Sequence, residues 1–217
     1  MSAQAHAHAM PAHVLLFPKA PAAVTVSTSD LEDRLALAAP GDTVKGVLCN
    51  AALNAVGRVL DPRAADSCRA ASGERRFIDF FNYPIASFLR LSFTAAELSR
   101  SKLGGLDAAF RTLGKQAVDD FLSTAAGKTL RSLGNKDPHR LLATLPSAYR
   151  TALNHGERHI QLAVEGRCVL GMRRDFLPHP YHEGVLGALL SSLGLGVAQV
   201  VGRRVGVLDC DYEIAWE

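Results

Sequence analysis

No stretch of the 217-residue chain approaches the roughly 18 consecutive apolar residues that a membrane-spanning helix requires, which excludes a membrane-embedded protein. The opening Met1-Ser2-Ala3-Gln4 and the Ala/His alternation after it carry neither a positive leader region nor a continuous apolar one, so a cytoplasmic location is expected. A charge excess is missing as well: 24 Lys+Arg against 21 Asp+Glu leave +3, short of the concentrated basic surface of a nucleic-acid binder. Of the Arg pairs 75-76, 173-174 and 203-204, the last two lie on or near strands and are read as solvated sheet edges. Cysteine is sparse, and Cys49, Cys68, Cys168 and Cys210 lie far apart without a Cys-x-x-Cys, which points to reduced, buried thiols and away from structural zinc. What the chain does have is a 48% hydrophobic composition, enough for one well-packed domain.

Residues 1–40 are Ala/Pro-rich with His6, His8 and His13, and read as a flexible arm; residues 41–217 read as a single α+β domain that binds a ligand or a partner. Asp42-Thr43 is a good N-cap pair, and Val44, Val47, Leu48, Ala51 and Ala55 recur at helical spacing to Gly57. Pro62 starts a short helix ended by Ser72-Gly73, and Pro84 opens another that Gly104-Gly105 breaks. Phe110 to Phe121, Thr129 to Leu133 and Asp137 to Leu145 continue the helical layer, with Pro146 interrupting or kinking it before Tyr149 to Leu153. The period then changes to two. Ile160, Leu162 and Val164, a turn at Glu165-Gly166, and Cys168, Leu170 and Met172 predict a hairpin; Tyr181 to Leu193 predicts a helix; Val197 to Val201 and Val207 to Trp216 predict a second hairpin turning near Gly202 to Gly206. The fold class is therefore an N-terminal helical layer followed by hairpin-helix-hairpin, giving a four-stranded antiparallel sheet.

Chemistry-bearing motifs are few. Gly127-Lys128-Thr129 lacks the upstream glycine and leading strand of a phosphate loop, and Gly194-Leu195-Gly196 follows a helix where a dinucleotide fingerprint follows a strand. The segment Asp175 to Glu183 gathers two carboxylates, two histidines and a tyrosine. A catalytic reading makes His179 or His182 a general base oriented by Asp175 or Glu183, whereas a Pro-x-Pro link between strand and helix accounts for the same composition. No serine or cysteine sits in a recognisable nucleophile elbow. The most aromatic segment, Arg75 to Pro84, supplies the ligand- or partner-contact candidates Arg76, Phe77, Phe80, Phe81 and Tyr83, joined by Phe88, Arg90 and Tyr149. Phe80 and Phe81 are adjacent and point apart, so at least one lines a groove, an interface or a second core layer.

Several strings taken together resemble a family of unknown function expanded in myxobacteria: Leu35 to Gly46, Phe77 to Pro84 with Phe88-Leu89-Arg90, Leu145 to Arg150, Arg174 to Pro178 with Tyr181 to Val185, and Asp211 to Trp216. The element order is more distantly similar to the superfamily joining haem-nitric-oxide-binding domains, vinyl-reductase-type sensor domains and the Bet-three-like subunits of the TRAPP complex. That resemblance implies an apolar pocket between helices and sheet, or a dimeric scaffold. The chain departs from the haem branch where a Tyr-x-Ser-x-Arg signature is expected, since Tyr149 is followed by Arg150-Thr151-Ala152-Leu153, and from the zinc branch, since only Cys210 stands in the last hairpin. Haem and zinc are thus not expected, and no other cofactor is. The resulting expectation is a non-enzymatic signalling or scaffolding module that captures a lipid-like or aromatic molecule or a protein partner, as a homodimer, without nucleic acid; the alternative is a hydrolase or isomerase built on His179 and His182.

Overall fold

The computed structural model describes residues 25–124, 127–129, 132, 137–164, 166–194 and 199–216. Helices come first. α1 (Asp30–Ala36) is followed by a short strand β1 (Thr43–Lys45), then α2 (Gly46–Val59) and α3 (Pro62–Ser72). The Asp61 carboxylate caps α3 by accepting from the Ala64 amide, Pro62 occupies its first turn, and Gly73 ends it in the left-handed region at φ 80°. β2 (Asn82–Pro84) pairs antiparallel with β1, and α4 (Ile85–Leu103) and α5 (Leu106–Ser123) follow, separated by Gly104 and Gly105 at positive φ. α6 (Pro138–Ala152) is capped by Asp137 and runs through Pro146 as one helix. The Thr129 to Leu133 helix falls largely outside the described residues.

The second half is the expected α+β module. β3 (Glu157–Val164) and β4 (Arg167–Arg173) form one hairpin, α7 (His179–Ser192) crosses back, and β5 (Gln199–Arg204) and β6 (Cys210–Ala215) form the other. All pairs are antiparallel, in the order β3-β4-β6-β5. Cys168, Leu170 and Met172 on β4 and Cys210, Tyr212 and Ile214 on β6 are buried at alternate positions, so one face of the sheet joins the core against the helices. Helices α5 and α7 pack backbone to backbone. A Cβ on Gly114 would stand 1.9 Å from the Tyr181 carbonyl oxygen, and one on Gly184 2.0 Å from that of Arg111.

Four sequence expectations change. Residues 30–36 of the segment read as a flexible arm form α1, whose Arg34 donates to the Phe176 carbonyl oxygen and whose Asp30 pairs with Arg204; residues 1–24 lie outside the described residues. Asp42-Thr43 does not start a helix. The Asp42 carboxylate takes the Ala39 amide and the Arg174 guanidinium, the Thr43 amide goes to the Asn154 side chain, and residues 43–45 are drawn into strand pairing. α2 also passes Gly57 and ends at Val59. The last turn lies later than Gly202 to Gly206: β5 extends through Arg204, and Asp209 closes the turn by accepting at its carbonyl from the amides of Val205 and Gly206.

Candidate functional site

A cavity of about 480 Å³ opens between α2, α5, α6 and α7. Its wall is built mainly from apolar faces of those helices, with Leu48 and Ala51 on α2, Phe88 on α4, Val118 on α5, Leu145 on α6 and Val185 on α7. These are the positions that helical periodicity turns inward; a concave site forms because the helices splay where no side chain fills the gap. Polar groups sit at two ends. At the mouth are Lys45, Asn50, Asn54, Asp79 and Asp120; on the inner wall are Tyr149, His155, Asp175 and His182.

The inner wall is one hydrogen-bonded chain. Its centre is Asp175, in the short connection between β4 and α7. Arg174, just before it, adopts φ 54°, unusual for a non-glycine residue, and is held there by a bidentate pair with Asp42 at 2.7 Å and by donation of its amide to the Asp209 carboxylate. That turn aims Asp175 inward, where its side chain is 6% exposed. One oxygen accepts from the Arg158 guanidinium, whose side chain is 1% exposed; the other accepts from the Leu177 amide at 3.1 Å and from His182 Nε2 at 2.8 Å. His182 Nδ1 lies 2.9 Å from the Tyr149 hydroxyl, and the Arg158 guanidinium stacks 5.1 Å from the Tyr149 ring centroid.

Burial favours the neutral form of Asp175, but the charges and hydrogen bonds of His182 and Arg158 outweigh it and hold the carboxyl well below the usual carboxylate range. Burial pushes the Tyr149 hydroxyl well up, reinforced by the Asp175 charge, so it stays a neutral phenol. His182 thus bridges the Asp175 carboxylate through Nε2 and the Tyr149 hydroxyl through Nδ1. With both imidazole nitrogens and the carboxylate committed, the chain is a rigid, hydrogen-bonding back wall; it offers no free base.

The sequence candidates separate in space. Phe88, Tyr149, Asp175 and His182 line the cavity. His179 and Glu183 do not. Glu183 accepts from the Gly202 amide and from Arg111 at 2.7 Å, fastening α7 to β5 and α5, while His179 is buried beside Gly202, its imidazole held below its usual pKa mainly by burial. Phe77 is buried edge-on against Tyr83, whose hydroxyl accepts from the Ile78 amide. Phe80 and Phe81 are 78% and 59% exposed, and Arg76 and Arg90 are exposed too. Sequence reasoning missed Arg158 and His155 at the inner wall and Lys45, Asn50, Asn54 and Asp120 at the mouth.

The resemblance to haem-nitric-oxide-binding domains raises the question of haem, and neither the signature positions nor the Tyr149-His182 pair fit it. The Ser and Arg positions of the haem signature hold Thr151 and Leu153, so the acid-binding clamp is missing; Tyr149 and both nitrogens of His182 are engaged with each other and with Asp175. His155 lines the cavity, and its buried Nδ1 has no hydrogen-bond partner among the described residues. Among the described residues no three His, Cys, Asp or Glu gather as a metal cluster. Cys168 lies opposite Ile214 and Cys210 opposite Met172, so the two thiols do not meet across the sheet. No described helix is long and apolar enough to cross a membrane.

Comparison with known proteins agrees with the fold. Residues 37–217 match the model of a family described as protein of unknown function, DUF2378. The Fe(II) unliganded H-NOX protein from K. algicida superposes with a TM-score of 0.64 at 14% identity, over 80% of this chain and 96% of that one. The H-NOX protein from S. oneidensis in the Fe(II)NO ligation state gives 0.61 at 12%, over 80% and 99%. No curated protein matches in sequence.

Proposed function

Because the chain belongs to the DUF2378 family, whose function is itself unknown, its role has to be read from the site, and we propose that it is a non-enzymatic sensing or scaffolding module whose cavity takes up an apolar small molecule. One observation carries this reading: an open space of about 480 Å³, walled by apolar side chains and closed at the back by Tyr149-His182-Asp175. The volume lies within the roughly 300–1,000 Å³ of small-molecule sites, and a few convergent polar groups in an apolar wall are their usual make-up. Each Å² of ligand surface removed from water contributes about 25 cal/mol, so affinity does not require a charged anchor. The back wall adds orientation. A polar group on the ligand finds its hydrogen-bond partner in the Tyr149 hydroxyl, which lines the cavity.

The fold shared with H-NOX proteins is compatible with a sensing module, while the donor set of this cavity favours a ligand other than haem. The reading includes a homodimer, expected from the same kinship. Native mass spectrometry of the purified protein tests all of this at once: a retained small organic mass on a dimer is the expected result. A bare protein that also fails to take up an apolar dye such as 1-anilinonaphthalene-8-sulfonate overturns the cavity reading, and a retained porphyrin mass overturns its ligand class.

The enzyme reading keeps one element, since His182 and Asp175 do meet at a cavity wall. It loses the rest. His179 and Glu183 point to β5 and α5, and the atoms bonded to the His182 ring belong to Tyr149 and Asp175, neither of them an activated nucleophile.

A further inference from the structure

The segment between Phe77 and Asn82 is a rigid tip on the mouth of the cavity. The Phe81 amide donates to the Ile78 carbonyl at 3.0 Å, the carbonyls of Asp79 and Phe81 accept the free amides of Val47 and Gly46 at the start of α2, and the Ile78 amide donates to the Tyr83 hydroxyl. The exposure of Phe80 and Phe81 is therefore built in and does not follow from a loose loop. Asp79 of this tip lines the cavity, and Phe121, 37% exposed, lines it from α5. These are the exposed phenylalanines among the described residues, and all three belong to the tip or the cavity mouth.

Charge accompanies them. Lys45 donates to the Phe80 carbonyl oxygen at 2.9 Å, which places its ammonium beside the tip, and Arg75 and Arg76 are exposed immediately before it. None of Lys45, Arg75 and Arg76 makes an ion pair among the described residues. The acids of the segment, Glu74 and Asp79, accept from the neutral donors Ser87 and Asn50 and keep their charge, so the three cations outnumber them by one. An apolar wedge with free cations beside it, at the opening of an apolar cavity, is the pattern that inserts into an anionic lipid surface: the rings enter the acyl boundary and the cations meet phosphate or serine headgroups.

We infer that the cavity mouth is a membrane-docking surface, with Phe80 and Phe81 inserting into a bilayer rich in anionic lipid and Lys45, Arg75 and Arg76 holding its headgroups. The inference rests on the cavity reading and extends it, because a sparingly soluble ligand then passes from bilayer to cavity without crossing water. A protein partner or a second copy on the same tip would instead close the opening.

The test is co-sedimentation of the full chain with vesicles of phosphatidylcholine alone or with about 30% phosphatidylserine. Binding is expected to the serine-containing vesicles, weakening as salt rises. Phe80→Ser/Phe81→Ser and Arg75→Glu/Arg76→Glu are each expected to weaken it roughly tenfold or more while leaving the uptake of an uncharged apolar dye, Nile red, from solution unchanged. Dye uptake without vesicle binding by the wild type, or vesicle binding indifferent to both double variants, overturns the docking surface and leaves the cavity reading standing. A phenylalanine double variant that changes from dimer to monomer assigns the tip to self-association and overturns it too. Loss of dye uptake in the wild type is the separate failure of the cavity itself.

Discussion

Replacing Asp175 by asparagine keeps the shape of the back wall and removes one charge. The consequence follows from the burial of its partners. Arg158 is 1% exposed and, among the described residues, finds its counter-charge only in Asp175, while His182 donates to the same carboxylate. Without it a guanidinium sits uncompensated in the interior, and breaking a buried pair from one side costs about 3–5 kcal/mol. For a chain of this length each kcal/mol lowers the thermal midpoint by roughly 2–4 °C, so Asp175→Asn should melt on the order of 10 °C lower. The same substitution paired with Arg158→Met removes both charges and should recover much of the loss, because an apolar replacement of a buried pair is often neutral. Urea unfolding followed by circular dichroism gives the four corners of this cycle. A single-variant loss under about 1 kcal/mol, or a double variant worse than the sum, would refute the claim that Asp175 is ionised and that Arg158 depends on it.

Burial holds His155 and His179 below the usual imidazole pKa, so between the folded values and about 6.5 the unfolded chain binds more protons than the folded one. Stability should therefore fall as pH drops below about 6.5, and fall again below about pH 4 as the depressed carboxyls Asp175 and Asp42 take up protons; a series of urea midpoints against pH checks both, and His155→Gln should flatten the first decline. Burial raises the thiols of Cys68 and Cys168 to about 11 and that of Cys210 to about 12, so a thiol reagent at neutral pH should label none of the four cysteines until denaturant is added. Gly184→Ala places a methyl group against the Arg111 carbonyl and forces α5 from α7, with an expected cost of about 1–3 kcal/mol and weaker dye uptake; unchanged stability would contradict the close helix contact.

The order of elements was legible because the two periodicities are: apolar positions recur at helical spacing up to Leu153 and alternate from Ile160 onward. Boundaries set by distant partners were not. Nothing local shows that Asp42 is claimed by Arg174, 132 residues away, or that residues 43–45 pair with 82–84. The site was half legible. Asp175 and His182 stood out as a carboxylate and an imidazole in one segment, but so did His179 and Glu183, and adjacent helix positions diverge by about 100°, which sends His182 to the cavity and Glu183 to β5 and α5. Arg158 left a signal that went unread. It has the same strand parity as Ile160, so the hairpin pattern turns a cation toward the core and demands a buried acid. Lys45 left none, because its place at the mouth depends on a carbonyl 35 residues further on.

The central claim is that the space behind Phe88 and Tyr149 receives an apolar ligand. Its most direct measurement is a titration of anilinonaphthalene sulfonate into the folded wild type and into Ala148→Trp, a substitution that places an indole in the cavity lining while leaving the Tyr149-His182-Asp175 wall in place. Saturable uptake near one dye per chain, lost or at least tenfold weaker in the variant at equal thermal stability, is the expected result. Uptake that ignores the indole, or no uptake by either protein, would contradict it.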